Sequence, residues 1–215
     1  MKDGAFITGT DTGVGKTYFT AFWTLSLKRA GVRAFPLKPI STGDRSDAKI
    51  LSQSVNGSMS LDEINPIHFQ PPLAPWAACQ AIGQTFPMEK LRHHLSGLRS
   101  KYAGPFLIEG VGGWRVPLDR DYGVREWARE MGYPVVLVAR AGLGTLNHVL
   151  LTVDSILQSK LRISGIVVNL HQAREDAATQ SNPKLIGELT GLPVFILPSG
   201  ASPADELPSW LRIGG

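Results

Sequence analysis

Short apolar runs alternate with longer amphipathic stretches along this chain. Residues 5–8 are apolar and predict a strand, and the aromatic- and aliphatic-rich stretch 18–30 predicts a helix. Gly31 follows as a C-cap, and 33–39 predicts a second strand ending in Leu-Lys-Pro-Ile. A small polar turn at 41–43 leads to a short helix through Val55. Residues 56–87 are rich in Gly, Pro, Asn and Ser. Prolines at 71, 72 and 75 forbid a regular helix before Trp76, which predicts an ordered excursion leading into a helix. Beyond it, 88–101 predicts an amphipathic helix, 105–108 a third strand and 123–132 a short helix. The continuous apolar run 134–139 predicts a strand covered on both faces. A long helix at 143–160, a strand at 163–169, a helix within 176–189 and a strand at 193–197 complete the pattern, and 198–200 form a last loop. Strands alternating with helices throughout predict an α/β fold: a doubly wound, mostly parallel sheet with helices on both faces.

Composition narrows this picture without changing it. With 215 residues, 43% hydrophobic and 19% charged, the chain can bury one substantial core and is expected to form a single α/β domain over 1–215. The net charge of +4 comes from scattered basic residues, which suits anionic ligands more than a nucleic-acid surface. Arg92, His93 and His94 form the longest basic cluster and predict a solvated helix face. A single cysteine, Cys79, rules out an intrachain disulfide framework and predicts a small buried hydrophobe in a reducing compartment. The N-terminus lacks the apolar core of a signal peptide, and no run approaches the roughly 20 apolar residues of a membrane span, so a soluble cytoplasmic protein is expected.

The candidate chemistry begins at Gly-Thr-Asp-Thr-Gly-Val-Gly-Lys-Thr, residues 9–17, between the first strand and the first helix. A glycine-rich loop there aims backbone N–H groups and a helix N-terminus at one point, a favourable place for phosphate. Gly13, Val14 and Gly15 would supply backbone, Lys16 a charge at the β- and γ-phosphates, Thr17 a hydroxyl for Mg²⁺, and Tyr18 the start of the helix. Five residues separate Gly9 from Gly15, one more than the usual spacing, and Thr10 stands where the first glycine is expected. The fold expected is therefore P-loop NTPase-like.

Other polar residues fall at the same carboxyl rim of the sheet, where ligands of open α/β folds gather. Lys38 ends the second strand and Thr42 lies in the turn after it. Asp47, at the next helix start, is open to two readings, a helix N-cap or a metal and nucleotide ligand. Glu109 ends the third strand and precedes Gly110, Val111, Gly112 and Gly113, which places a carboxylate at the rim with room for backbone to approach a ligand. Thr12, Lys16, Thr17, Lys38, Thr42, Asp47 and Glu109 suit phosphoryl transfer around a metal-bound nucleotide triphosphate, with Mg²⁺ the natural metal. No Ser-His-Asp arrangement or zinc spacing is present. A second lysine, Lys38, implies an acceptor that is anionic or becomes so. His68, Trp76, Trp114 and Arg115 are open between ligand contact and core cover.

Together these motifs resemble the dethiobiotin synthetase family. The resemblance rests on the 9–17 loop, Lys-Pro-Ile-Ser-Thr-Gly at 38–43, Ser-Asp-Ala at 46–48 and Pro-Leu-Ala-Pro at 72–75. It continues through Glu-Gly-Val-Gly-Gly-Trp at 109–114, Pro-Leu at 117–118 and Gly-Leu-Gly-Thr-Leu-Asn-His at 142–148. It implies that 7,8-diaminopelargonate, CO₂ and MgATP give dethiobiotin, ADP and phosphate through a carbamate and its phosphoric anhydride. It further implies that Lys38, helped by Lys16 and Thr12, stabilises the transferring group, that Thr42 touches the diamine or carbamate, and that Thr17, Asp47 and Glu109 organise Mg²⁺. Asn169 and Pro198 match the adenine side of the site. Family members are homodimers in which the substrate tail reaches the partner subunit, and the helix start at 144–147, with Asn147, is the expected receptor. A partition-type P-loop ATPase, a nucleotide-gated protein-binding switch, is the alternative. Such switches generally carry an additional lysine early in the loop, where this chain has 8–12 without one, and they have no reason for Lys38 beside Thr42.

Overall fold

The structure, a computed structural model, describes residues 4–171, 173, 176–204 and 207–213. Its elements in order are β1 (Gly4–Gly9), α1 (Lys16–Arg29), β2 (Phe35–Leu37), β3 (Ile40–Thr42), α2 (Ser46–Ser54), α3 (Leu61–Ile64), β4 (Ile67–Phe69), α4 (Pro75–Ala81), α5 (Met88–Lys101) and β5 (Phe106–Glu109). They continue as α6 (Val124–Met131), β6 (Val135–Arg140), α7 (Thr145–Gln158), β7 (Ile163–Asn169), α8 (Ala177–Thr190) and β8 (Val194–Leu197), with a 3₁₀ turn at Ser209–Leu211.

The main sheet has the order β2-β5-β1-β6-β7-β8, and every pairing in it is parallel. From β1 the chain goes to one side for β2 and β5 and to the other for β6, β7 and β8. The order therefore reverses beside β1, and a ligand crevice belongs at its carboxyl end. β1 shows how the sheet is sandwiched. Phe6 faces one core cluster with Leu37, Leu51 and Ile108, while Ala5 and Ile7 face a second with Phe19, Trp23 and Val136. α1 presents Phe19, Trp23 and Leu27 to that second cluster, a four-residue spacing that places them on one stripe. The indole N–H of Trp23 donates to Leu211 O at 2.8 Å, so the buried ring keeps its polar edge satisfied and ties the C-terminal turn to α1.

Two departures from the sequence reading matter for the site. Residues 41–43 are not a free turn: Ile40–Thr42 is a strand that pairs in parallel with Ile67–Phe69, and these two strands form a small second sheet. The excursion also holds a short helix, α3, begun by a capping box in which Ser60 Oγ accepts from Glu63 N–H and Glu63 accepts from Ser60 N–H. The basic cluster on α5 is only partly a solvated face. Arg92 pairs with Glu89 and Glu130, but His94 is half-buried and bonded to the Glu63 carbonyl at 2.9 Å. Cys79 is buried, as its residue type predicts. Among the described residues no helix is long and apolar enough to cross a membrane.

Candidate active site

A cleft of about 500 Å³ opens at the carboxyl ends of β1, β2 and β5, within the size range of small-molecule sites. The loop after β1 forms one wall. Gly13 and Gly15 both take left-handed backbone, with φ of 73° and 91°, which turns the chain sharply into α1. A Cβ on Gly15 would sit 1.9 Å from Asn169 Nδ2, so only glycine fits there. Asn169 Nδ2 donates to the Val14 carbonyl at 3.1 Å, and the end of β7 thus braces the loop. The loop is braced from below as well: Gly110 N–H bonds Ile7 O and Trp114 N–H bonds Gly9 O. Val14 turns its side chain into the core and contributes to the loop through its backbone. The amide of Thr12 is capped by Asp11 Oδ1 at 2.7 Å, so its hydroxyl is the group free to face the cleft that it lines.

Opposite the loop lies a buried charge cluster. Lys38 Nζ is 2.5 Å from Glu109 Oε1 and 2.8 Å from Asp47 Oδ2. Glu109 is fully buried and its Oε1 also accepts from Thr17 Oγ1 at 2.7 Å, which links the phosphate loop to the far wall through one carboxylate. Burial by itself would lower the pKa of Lys38, but Glu109 and then Asp47 outweigh it and hold the ammonium above the ordinary lysine value. Asp47 is itself held low against burial by the Lys38 charge. Lys16 makes no ion pair among the described residues, and the more distant Glu109, Asp47 and Asp11 only partly offset its burial. Burial first, and the nearby Lys38 charge second, bring it down to about 8, and its ammonium curls onto Asp11 O at 3.0 Å. Asp47 lies on the first turn of α2 and not at its N-cap, which is Arg45, so the helix-cap reading of Asp47 falls and its side chain pairs with Lys38; Asp44, ahead of the helix, accepts from Ser46 N–H at 3.0 Å.

This chain is similar to known proteins in sequence and in fold. A family model described as an AAA domain matches residues 3–199. The ATP-dependent dethiobiotin synthetase BioD of Aquifex aeolicus is 39% identical, over 97% of this chain and 93% of its own. The corresponding proteins of Endomicrobium trichonymphae and Bacillus subtilis are 34% and 36% identical, over 92% and 89% of this chain and 93% and 85% of theirs. The chain belongs to the dethiobiotin synthetase family. Among solved structures, a ParA family ATPase from Chlorobium tepidum and the septum site-determining protein MinD from Pyrococcus horikoshii superpose with TM-scores of 0.54 and 0.56. The first covers 93% of this chain and 85% of its own, the second 92% and 82%. At 13% and 16% identity they share the P-loop fold alone, so the synthetase relatives outweigh the nucleotide-switch alternative.

For a dethiobiotin synthetase, the donor set accommodates Mg²⁺. Glu109 Oε2 is buried and has no hydrogen-bond partner, which leaves a carboxylate oxygen for a cation beside the Thr17 hydroxyl and Asp47. Among the described residues no group of three or more His, Cys, Asp or Glu side chains is placed to hold a metal. Two carboxylates and a hydroxyl suit Mg²⁺, which takes few protein ligands and completes its shell with substrate phosphates and water.

The remaining predicted residues divide by location. Thr42, Val111 and Gly112 line the cleft with Lys38, whereas the amide of Gly110 is spent on the sheet. Asn169, Tyr18 and Pro198 gather at the other end of the loop, where Tyr18 OH donates to Pro198 O at 3.4 Å and its ring stacks on His171 at 4.7 Å. Asn147 lies exposed on the first turn of α7 and does not line the cleft of its own chain. Trp114 covers the core, its indole N–H bonded to Ser155 Oγ at 3.1 Å. Sequence reasoning assigned no role to Ser41, Asp44 and Val116, which also line the cleft. The first two lie within or beside the 38–43 motif, the only signal that marked them.

Proposed function

We propose that this protein transfers the γ-phosphoryl group of ATP to a carbamate of 7,8-diaminopelargonate and then closes the ureido ring. Family membership carries the ATP-dependent ligase activity of biotin biosynthesis; the route and the residue roles are our reading. One amine of the diamine adds to CO₂ and loses a proton to give the carbamate. A carbamate oxygen attacks the γ-phosphorus and ADP leaves. The second amine then attacks the carbonyl carbon of the mixed anhydride and loses a proton, the C–O bond breaks, and phosphate departs with the carbamate oxygen.

The observation that carries this reading is Lys38, an ammonium held in the same cleft as the phosphate loop yet just past the end of another strand, β2. Lys16 serves the donor phosphates from one wall, and Lys38 meets the anionic acceptor from the other. Thr12 and Thr42 flank the path between them and orient the carbamate and diamine. Bound Mg²⁺, held by Thr17, Asp47 and Glu109, would neutralise charge on the donor phosphates. No side-chain nucleophile is required, so catalysis comes from positioning and charge stabilisation. Asn169, Tyr18 and Pro198 form the adenine side. A homodimer acting in the cytoplasm fits this reading, with the substrate carboxylate reaching the partner's α7 start near Asn147, where free helix N–H groups favour an anion.

The test is turnover of purified protein with diaminopelargonate, bicarbonate and MgATP, following dethiobiotin by mass and ADP by coupled assay. Equal yields of both, each requiring the diamine, support the proposal. ATP hydrolysis that ignores the diamine and yields no dethiobiotin would overturn it.

A further inference from the structure

The acceptor wall of the cleft is a single stretch of chain, 38–47, that supplies Lys38, Ser41, Thr42, Asp44 and Asp47. It departs from the main sheet after β2, and its own strand is only three residues long. Something else must hold it, and the side chain at its back is Asn65.

Asn65 is 2% exposed, its side-chain amide is fully hydrogen-bonded, and three of its four bonds go to this stretch. Nδ2 donates to Lys38 O at 2.7 Å and to Ile67 O at 3.2 Å. Oδ1 accepts from Ser41 Oγ and from Arg45 Nε, both at 2.9 Å. Two carbonyls on one side and the donor-only Arg45 guanidinium on the other fix the amide's orientation, because a flipped amide would set its oxygen against both carbonyls and its NH2 against Arg45 N–H. Arg45 completes the clamp, its Nη2 donating to Leu61 O at 3.1 Å, Asp62 Oδ1 at 2.9 Å and Asn65 O at 2.8 Å. The backbone adds Lys38 N–H to Ile64 O and Ile67 N–H to Pro39 O. One amide thus grips the peptide that carries Lys38 and the residue before Thr42, and reaches the start of α2 that carries Asp47 through Arg45. No hydrogen bond of Asn65 goes to the phosphate loop.

We infer that Asn65 is a positioning residue for the acceptor half of the site: it sets the placement of Lys38 and Thr42 for the transfer step without contributing to nucleotide binding. The inference rests on reading Lys38 as the acceptor-side lysine. Misplacing a reacting group by about 1 Å costs up to about 10²-fold in rate. Asn65→Ala is therefore expected to lower kcat for dethiobiotin about 10- to 100-fold and to raise the KM for the diamine. The Kd for an ATP analogue, measured by calorimetry, should stay within about twofold of wild type. Asn65→Asp keeps both acceptor contacts and loses the donors to Lys38 O and Ile67 O; it should match the alanine variant in kcat if the grip on the Lys38 carbonyl is what matters. If Asn65→Ala does not fold, Arg45→Gln, which loosens the same amide from outside the cleft, should show the same asymmetry in smaller degree.

A folded Asn65→Ala or Asn65→Asp protein with wild-type kcat and diamine KM overturns the inference. Equal losses in ATP-analogue affinity and in kcat would also overturn it, since they mark general loosening. Failure of the parent proposal is distinguishable, because wild-type protein would then form no dethiobiotin at all. The placement of Lys38 would in that case still be read from its Nζ resonance in NMR spectra, which should shift in Asn65→Ala and not in a surface variant such as Lys90→Ala.

Discussion

Replacing Lys38 with methionine removes an ammonium and leaves its partners in place. The consequence follows from burial: Lys38 is 4% exposed, Glu109 is fully buried, and their 2.5 Å contact is the only ion pair Glu109 makes among the described residues. Asp47, with a side chain 43% exposed, can turn to water, but Glu109 keeps only the Thr17 hydroxyl. Removing one partner of a buried pair costs about 3–5 kcal/mol, because the other charge stays desolvated. For chains of 150–250 residues each kcal/mol shifts the unfolding midpoint by roughly 2–4 °C, so Lys38→Met is expected to melt about 6–20 °C below wild type. Lys38→Met/Glu109→Gln removes both charges and should recover most of that loss, while Glu109→Gln alone should not behave as the sum predicts. Differential scanning calorimetry of the four proteins closes the cycle. Both Lys38 variants should also lose at least about 10²–10³ in kcat, the usual cost of removing one charge-stabilising donor. A single variant within about 1 kcal/mol of wild type, or a double variant no more stable than the single, would refute the reasoning.

The loop lysine makes a pH prediction. With Lys16 down to about 8, a triphosphate that raises it again must take up a proton when binding above that pH, so calorimetry at pH 8.5 in buffers of different ionisation enthalpy should show uptake that fades below pH 7. No uptake at pH 8.5, or uptake unchanged in Lys16→Met, would contradict it. Lys38 stays charged through this range because its pKa is raised, so it contributes no uptake. Gly13 and Gly15 give a contrast in denaturant unfolding: Gly13→Ala meets nothing within 4 Å and should cost only the roughly 1–2 kcal/mol of left-handed backbone, whereas Gly15→Ala drives a Cβ into Asn169 and should cost clearly more and abolish ATP binding. Equal costs would mean that the Asn169 contact is not limiting. Asn169→Ala is expected to raise the KM for ATP far more than that for the diamine, and the reverse order would remove Asn169 from the nucleotide side.

Much of this arrangement was legible in the chain. The strand-loop-helix at 5–30 and the Lys38 and Glu109 strand ends were visible because each couples an apolar run to a local polar signal. Lys38, Asp47 and Glu109 were expected at one rim, and they meet there within hydrogen-bond distance. Their direct pairing was not legible, since strand order brings residues 71 apart together and no local pattern encodes that. The pairing of β3 with β4 was hidden for the same reason, and Ser41-Thr42-Gly43 has the composition of a turn. Asn65 was hidden more deeply. In Ile-Asn-Pro-Ile it resembles loop punctuation, and only the fold shows that its amide holds the Lys38 carbonyl. Whether Asp47 caps its helix was open in the chain because a helix start is uncertain by a residue or two, and the fold puts it on the first turn instead.

In the proposed reaction the phosphoryl acceptor is a carbamate oxygen held against Lys38. The most direct measurement supplies ¹⁸O-labelled CO₂ with diaminopelargonate and MgATP in unlabelled water, quenches before the label exchanges, and weighs both products. One labelled oxygen in the released phosphate and one in the ureido carbonyl of dethiobiotin are predicted. Dethiobiotin formed with unlabelled phosphate would rule the carbamate acceptor out, since the phosphoryl group would then have gone to water or to another acceptor.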